Sequence, residues 1–181
     1  MNIKSIFRFS IIFFACHFLA VFVYGQEVQL LDLSPAKWIW YPSGRVLQNT
    51  FVLFRKEFDL EKQPTQAQGG ILADSRYLLY FNGERVQWGP APSDPRWPEA
   101  DLVDIASYLK PGKNVIACQV LYYGIGEGTW PTGKPGFIIN LDVDVRPVVS
   151  DNTWMSHLAK SWVQGQYKRW FLRTLHIVYR Y

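Results

Sequence analysis

The sequence predicts an all-β fold: an antiparallel β-sandwich with jelly-roll connections, an N-terminal signal helix and a partly helical or irregular C-terminal tail. Three observations carry this. About seven or eight short strand-like segments follow one another from Lys37 onward, bounded by Gly, Pro, Asn and Ser. Asn82-Gly83 stands between two apolar-rich runs, the strongest short hairpin signal a sequence offers. Between Lys37 and Val145 no segment shows the long 3.6-residue period of an amphipathic helix.

Met1 to Gly25 reads as a secretory signal peptide. Lys4 and Arg8 form its positive start, Ile11 to Val23 its apolar run, and Val23-Tyr24-Gly25 a cleavage site before Gln26. The alternative is an uncleaved anchor, although the run is shorter than the roughly 18–20 residues of a spanning helix. The chain is therefore expected to be exported, to the periplasm or the extracellular space, with membrane contact only through this segment if it is uncleaved. Once it is removed, Cys118 is the one cysteine left, and its apolar surroundings from Val115 to Val120 mark it as a core residue.

Residues 26–36 form a lead-in, and 37–147 the predicted sandwich. Trp38 to Tyr41 is a short aromatic strand ended by Pro42-Ser43-Gly44. Thr50 to Leu60 alternates, with Val52, Phe54, Lys56, Phe58 and Leu60 on the more apolar, core-facing phase. Gly70 to Asp74 and Tyr77 to Phe81 are strands, and Glu84 to Trp88 returns from the hairpin. Four prolines make Gly89 to Pro98 a loop. Asp101 to Leu109 reads as a helical turn or irregular stretch, and Lys110 to Asn114 as a turn into the strand Val115–Tyr123. A second Gly- and Pro-rich loop, Gly124 to Gly136, precedes the alternating strand Phe137–Val145, whose apolar odd-numbered residues share one face. Residues 148–181 form the tail. Its aromatic load, including Trp154, Trp162, Trp170 and Phe171, predicts a poorly anchored Ser156–Tyr181 and the truncated start of a connection to a further domain.

Charge narrows the function classes. The net charge is +4, but Gln26 to Val145 holds eleven Lys and Arg against fourteen Asp and Glu, and the excess of positive charge lies at the two ends. A nucleic-acid-binding domain wants a basic face, so that class is set aside. Aromatic residues make up 17% of the chain, with eight Trp. This fits both a packed core and stacking of indole on the C–H faces of sugars.

Several stretches in order, Lys37-Trp38-Ile39-Trp40-Tyr41-Pro42, Phe54-Arg55-Lys56-Glu57-Phe58, Ala73 to Gly83, Gly89 to Trp97 and Leu109 to Ala117, resemble the N-terminal, galactose-binding-like domain of bacterial α-L-rhamnosidases. The resemblance spans roughly Lys37 to Val145. It implies a β-sandwich that precedes a catalytic helical barrel carrying paired carboxylates. No residue here matches that catalytic pair, so no catalytic residue is carried over and the chain itself is expected to be inactive, with the barrel as its missing partner.

Catalysis within this chain needs two carboxylates flanking a glycosidic bond. Asp94, Glu99, Asp101 and Asp104 are the nearest candidates, and Asp94, Asp101 and Asp104 read as turn or cap residues. Sugar binding has its own candidates: Trp88, Trp97, Tyr123 and Trp130 as stacking platforms, and Asp94, Arg96 and Glu127 as hydrogen-bonding groups, for a rhamnose- or galactose-containing glycan. The competing reading has these aromatics fastening loops or packing on the missing barrel. Asp74 and Arg76 are spaced for a surface ion pair. No cofactor is expected, and a structural calcium ion has no oxygen-ligand loop of recognisable spacing to hold it. Two functions follow: an accessory domain of a rhamnosidase-like hydrolase, or a stand-alone secreted lectin.

Overall fold

The computed structural model describes residues 31–126, 131 and 133–165. The predicted signal peptide, Glu127, Trp130 and the chain beyond Gly165 lie outside them. Nine strands follow in order: β1 (Thr50–Leu60), β2 (Ala67–Asp74), β3 (Arg76–Phe81), β4 (Glu84–Gly89), β5 (Asp101–Asp104), β6 (Gly112–Tyr122), β7 (Gly136–Val143), β8 (Arg146–Val149) and β9 (Met155–Leu158). One 3-10 turn, Ala106–Tyr108, separates β5 from β6. The strands form a five-stranded sheet, β4-β3-β6-β1-β9, and a four-stranded sheet, β5-β2-β7-β8, with every pairing antiparallel. Apart from the hairpins β3-β4 and β7-β8, each connection crosses between the sheets.

β1 and β6 pair over the full length of both, from Thr50 opposite Tyr122 to Leu60 opposite Gly112. The alternation read in β1 has a direct cause: Val52 and Phe54 are buried and Phe58 and Leu60 pack against the core. Phe54 stacks across the sandwich on Phe137 of β7, ring centroids 5.1 Å apart. Ile71, Tyr77, Leu79, Phe81, Ile116, Cys118, Val120, Ile139 and Leu141 complete the interior from both inner faces. Burial pushes the Cys118 thiol well up from its usual range, which suits a core residue rather than a reactive one. Phe51 and Leu121, on the opposite phase, form a second small cluster on the outer side of the five-stranded sheet with Ala159, Tyr123 and Trp162.

The hairpin turns at Asn82 (φ 50°) and Gly83 (φ 91°), the left-handed pair that a two-residue turn demands. Asn82 is bound to the Lys110–Asn114 turn. Its amide donates to Tyr108 O and Asn114 Oδ1, and its side-chain oxygen accepts from Val115 N. Asn114, fully buried, also accepts from Lys110 N and donates to the carbonyls of Lys110 and Gly112.

Four elements depart from the sequence reading. Trp38 to Tyr41 is not a strand; it makes a single bridge, Ile39 to Phe137, because Pro42 and the turn after it leave no run of partners. Asp101 to Asp104 is an edge strand on β2 rather than a helical turn; pairing of Gln68 to Ile71 with Asp104 to Asp101 supplies hydrogen bonds that local propensity does not foretell. Val145 is not on the core face. The chain turns at Asp144 (φ 44°) and Val145 (φ 66°), and Val145 is 95% exposed. The sandwich also runs past residue 147. β8 pairs with β7 and β9 with β1, and Trp154 is buried against Phe137 with its indole N–H donated to Val149 O at 2.8 Å. Ser156 to Leu158 is therefore paired strand, not loose tail, and the chain stays attached further on. Trp162 stacks on Phe51 at 5.0 Å, and Gly165 N donates to Gln48 O.

Candidate functional site

Three loops and the Trp38–Tyr41 segment meet at one end of the four-stranded sheet and line an open cleft of about 800 Å³. The end of β2 supplies Asp74 and the following Ser75, the β4–β5 loop supplies Asp94 and Arg96, and the loop before β7 supplies Gly133 and Lys134. Trp38 comes from the segment that follows the lead-in. That segment is pinned by backbone bonds from Lys37 N to Ser150 O and between Ile39 and Phe137, and by Ser150 Oγ donating to Lys37 O. The Trp38 indole lies against Gly136, where an added Cβ would come within 2.5 Å of Cε3. Trp38 nonetheless stays 51% exposed, so much of the ring is open to solvent.

Asp74 is the half-buried anion of the cleft. Burial raises its carboxyl above the usual range, opposed by a 2.7 Å hydrogen bond from Ser75 Oγ. Ser75 is itself buried, its hydroxyl accepting from Tyr123 N and its own N–H donated to Leu121 O. The carboxylate rests against Gly133, whose missing side chain makes the room: a Cβ there would lie 1.7 Å from Oδ2. Beside it, Tyr122 OH donates to Gly133 O; burial and the Asp74 charge raise the phenol.

Asp94 is engaged differently. Arg96 donates Nε and Nη2 to it in a fork, with distances down to 2.6 Å, and Arg96 N donates to Oδ1. These bonds hold its pKa down at about 2. Of the other predicted acids, Asp101 accepts from Tyr77 OH at 2.5 Å, Asp104 caps Ala106 N, and Glu99 is exposed. Arg76 donates to Pro90 O and sits 5.9 Å from the Trp88 ring centroid, so it serves the loop and the indole.

The structure thus divides the predicted binding set. Asp94 and Arg96 line the cleft. Trp88 and Trp97 are exposed, at 67% and 77%, but do not line it. Tyr123 packs with the Phe51–Leu121 cluster and does not line the cleft. Glu127 and Trp130 fall outside the described residues. Trp38, Asp74 and Ser75 were not read as binding residues. Trp38 is one of a run of aromatics, and what distinguishes it is Gly136 beneath it, a partner far along the chain.

No family model and no curated protein matches the chain. Solved structures do. A GH78 family rhamnosidase of Bacillus sp. GL1 is 32% identical, with a TM-score of 0.65, over 71% of this chain and 14% of that one. The Streptomyces avermitilis α-L-rhamnosidase, solved in complex with L-rhamnose, is 22% identical with a TM-score of 0.55, over 71% of this chain and 13% of that one. A lectin of Pleurotus ostreatus is 26% identical with a TM-score of 0.54, over 72% of this chain and 36% of the lectin. The chain spans about one seventh of the first of these rhamnosidases. The described domain is a rhamnosidase-like β-sandwich, similar in both fold and sequence to one portion of a GH78 α-L-rhamnosidase chain.

Proposed function

We propose that this is a non-catalytic, carbohydrate-binding accessory domain of an α-L-rhamnosidase-like glycoside hydrolase that acts on rhamnose-containing glycans. The 32% identity to a GH78 family rhamnosidase, over 71% of this chain, carries the reading. The cleft supports the non-catalytic part. A general base works best with a pKa near the operating pH, and Asp94, held at about 2 by the Arg96 fork, is a poor one. A binding domain asks less: an apolar ring face, hydroxyl acceptors and donors, and room for a sugar, all of which the cleft has.

The similarity to the Pleurotus ostreatus lectin, one structure of which holds GalNAc, favours a second reading, a stand-alone secreted lectin. A glycan array and an aryl α-L-rhamnoside assay on the purified chain separate the classes. Binding without turnover is expected. Turnover that disappears on Asp94→Ala would overturn the non-catalytic reading. Rhamnosidase activity in the same polypeptide or its native complex distinguishes accessory domain from lectin.

A further inference from the structure

We infer that Tyr77 and Asp101 latch one side of the sandwich, and that residues 90–104, the β4–β5 loop together with β5, form a flap that swings out when this latch lets go while the other strands stay paired. Asp94 and Arg96, one wall of the cleft, ride on the flap. The latch therefore sets the width of the cleft, whatever the cleft binds.

The two sides of the sandwich are closed by different means. β8 and β9, edges of separate sheets, are joined by a short stretch of chain. Lys56 Nζ holds that stretch by donating to Val149 O, Asp151 Oδ1 and Thr153 Oγ1, and Trp154 is buried beneath it. β4 and β5 are the edges on the other side, and the loop between them carries four prolines, which have no N–H to anchor it. β5 is weakly held by its own side chains. It has four residues, pairs with β2, and buries Val103 while Leu102 stays exposed. A side-chain network ties its first residue to the opposite sheet. The hydroxyl of buried Tyr77, on β3, accepts from Gln87 Nε2 of β4 at 3.0 Å and donates to Asp101 Oδ2 at 2.5 Å. Burial and the Asp101 carboxylate raise the phenol, so it stays the donor in that bond. A hydrogen bond to a charged acceptor is stronger than a neutral one. Gly89, the last residue of β4, makes the room: a Cβ there would collide with Asp101 Oδ2 and lie 2.8 Å from the Tyr77 hydroxyl. The network thus draws together both stems of the loop, Gln87–Gly89 and Asp101. The bonds of Asp94 with Arg96 and of Trp97 N with Asp94 O close within the loop, so they travel with the flap when it moves.

The test is amide hydrogen exchange of the full chain, read by mass spectrometry peptide by peptide. Tyr77→Phe keeps the buried ring and removes the donor; Gly89→Ala pushes the Asp101 carboxylate away without touching the phenol. In each variant the amides of residues 91–104 are expected to exchange about ten- to a hundredfold faster than in the parent, the range that losing a hydrogen bond to a charged group gives. Amides of β1, β6 and β7 are expected to keep the parent's rates. Near-UV circular dichroism checks that each variant is folded. Should Tyr77→Phe fail to fold, Asp101→Asn, which keeps the shape and exchanges the charged acceptor for a neutral one, decides by the same readout. Rates within about twofold of the parent over residues 91–104 would mean that the pair latches nothing. Faster exchange spread evenly over β1, β6 and β7 as well would mean that the bond stabilises the whole sandwich and that the flap does not exist. Either result overturns the inference.

Discussion

Replacing Trp154 by alanine tests whether the sandwich closes beyond residue 147. Trp154 is 8% exposed, its ring is 5.3 Å from Phe137 in an edge-on contact, and its Nε1 donates to Val149 O. Burying a Trp removes about 150–250 Å² from water. At about 25 cal/mol per Å² that is worth about 4–6 kcal/mol. Large-to-small changes of aromatic residues in cores cost about 3–5 kcal/mol, and the lost hydrogen bond to Val149 O, which keeps Lys56 Nζ as a donor, adds about 1 kcal/mol. The expected loss is therefore about 4–6 kcal/mol, most of the stability of a domain at the lower end of the usual range of about 5–15 kcal/mol. Trp154→Phe keeps the ring contact, loses the hydrogen bond, and should cost about 1–2 kcal/mol. Urea unfolding followed by far-UV circular dichroism measures both. A loss below about 1 kcal/mol for Trp154→Ala, at unchanged m-value, would refute the packing argument. Ending the chain after Val145 removes β8 and β9, opens the edge of β1, and should yield aggregated protein. Ending it after Gly165 should leave the sandwich folded.

Other perturbations probe separate parts of the molecule. Asn114→Ala removes four hydrogen bonds of a buried side chain, one to Asn82 of the hairpin and three within the Lys110–Asn114 turn, and should cost about 2–4 kcal/mol in the same urea assay. Asp74 and Asp144 should respond to pH with opposite signs. Burial raises Asp74 in the folded state, so folded protein keeps a proton that unfolded chain releases, and stability falls as pH rises from the unfolded value through the raised one. The stability advantage of Asp74→Asn over the parent should therefore grow as pH rises above the unfolded carboxyl value of about 4. Hydrogen bonds from Gln66 N and Thr65 lower Asp144, so its contribution is present above the unfolded pKa and lost as pH falls through the folded one, and Asp144→Asn should be most costly near neutral pH. Mass spectrometry of protein exported from its host should find a mature N-terminus at or near Gln26; intact Met1 in the membrane fraction would count against export.

The parts legible in the sequence were those whose cause is local. β1 was readable because its two faces meet different surroundings, and the Asn82-Gly83 turn because few residues accept left-handed backbone. β5, β8 and β9 are four residues each, with acids at both ends of β5, Pro147 in β8, and polar Ser156 and His157 in β9. Such segments become strands because a partner is already in place, and the partner is not adjacent in sequence. The alternation of β7 was followed two residues too far, since nothing but the positive φ of Asp144 and Val145 marks where the strand ends. The candidate site shows the same division. The Asp94–Arg96 turn was visible as a turn; the meeting of Trp38 with Gly136 and of Asp74 with Gly133 arises only when distant loops come together.

The clamp between Asn82 and Asn114 has a consequence for tracing relatives of this domain. Both asparagines lie in the stretches that resemble the rhamnosidases, the hairpin and the Lys-Pro-Gly-Lys-Asn turn, and both spend their side chains on backbone groups and on each other. A signature built on them selects chains that solve the same problem of closing a sandwich corner, whatever those chains bind. Divergence in ligand preference would be written instead in the three cleft loops, which make none of the bonds of that corner. Sorting homologues by the corner would therefore group them by architecture alone.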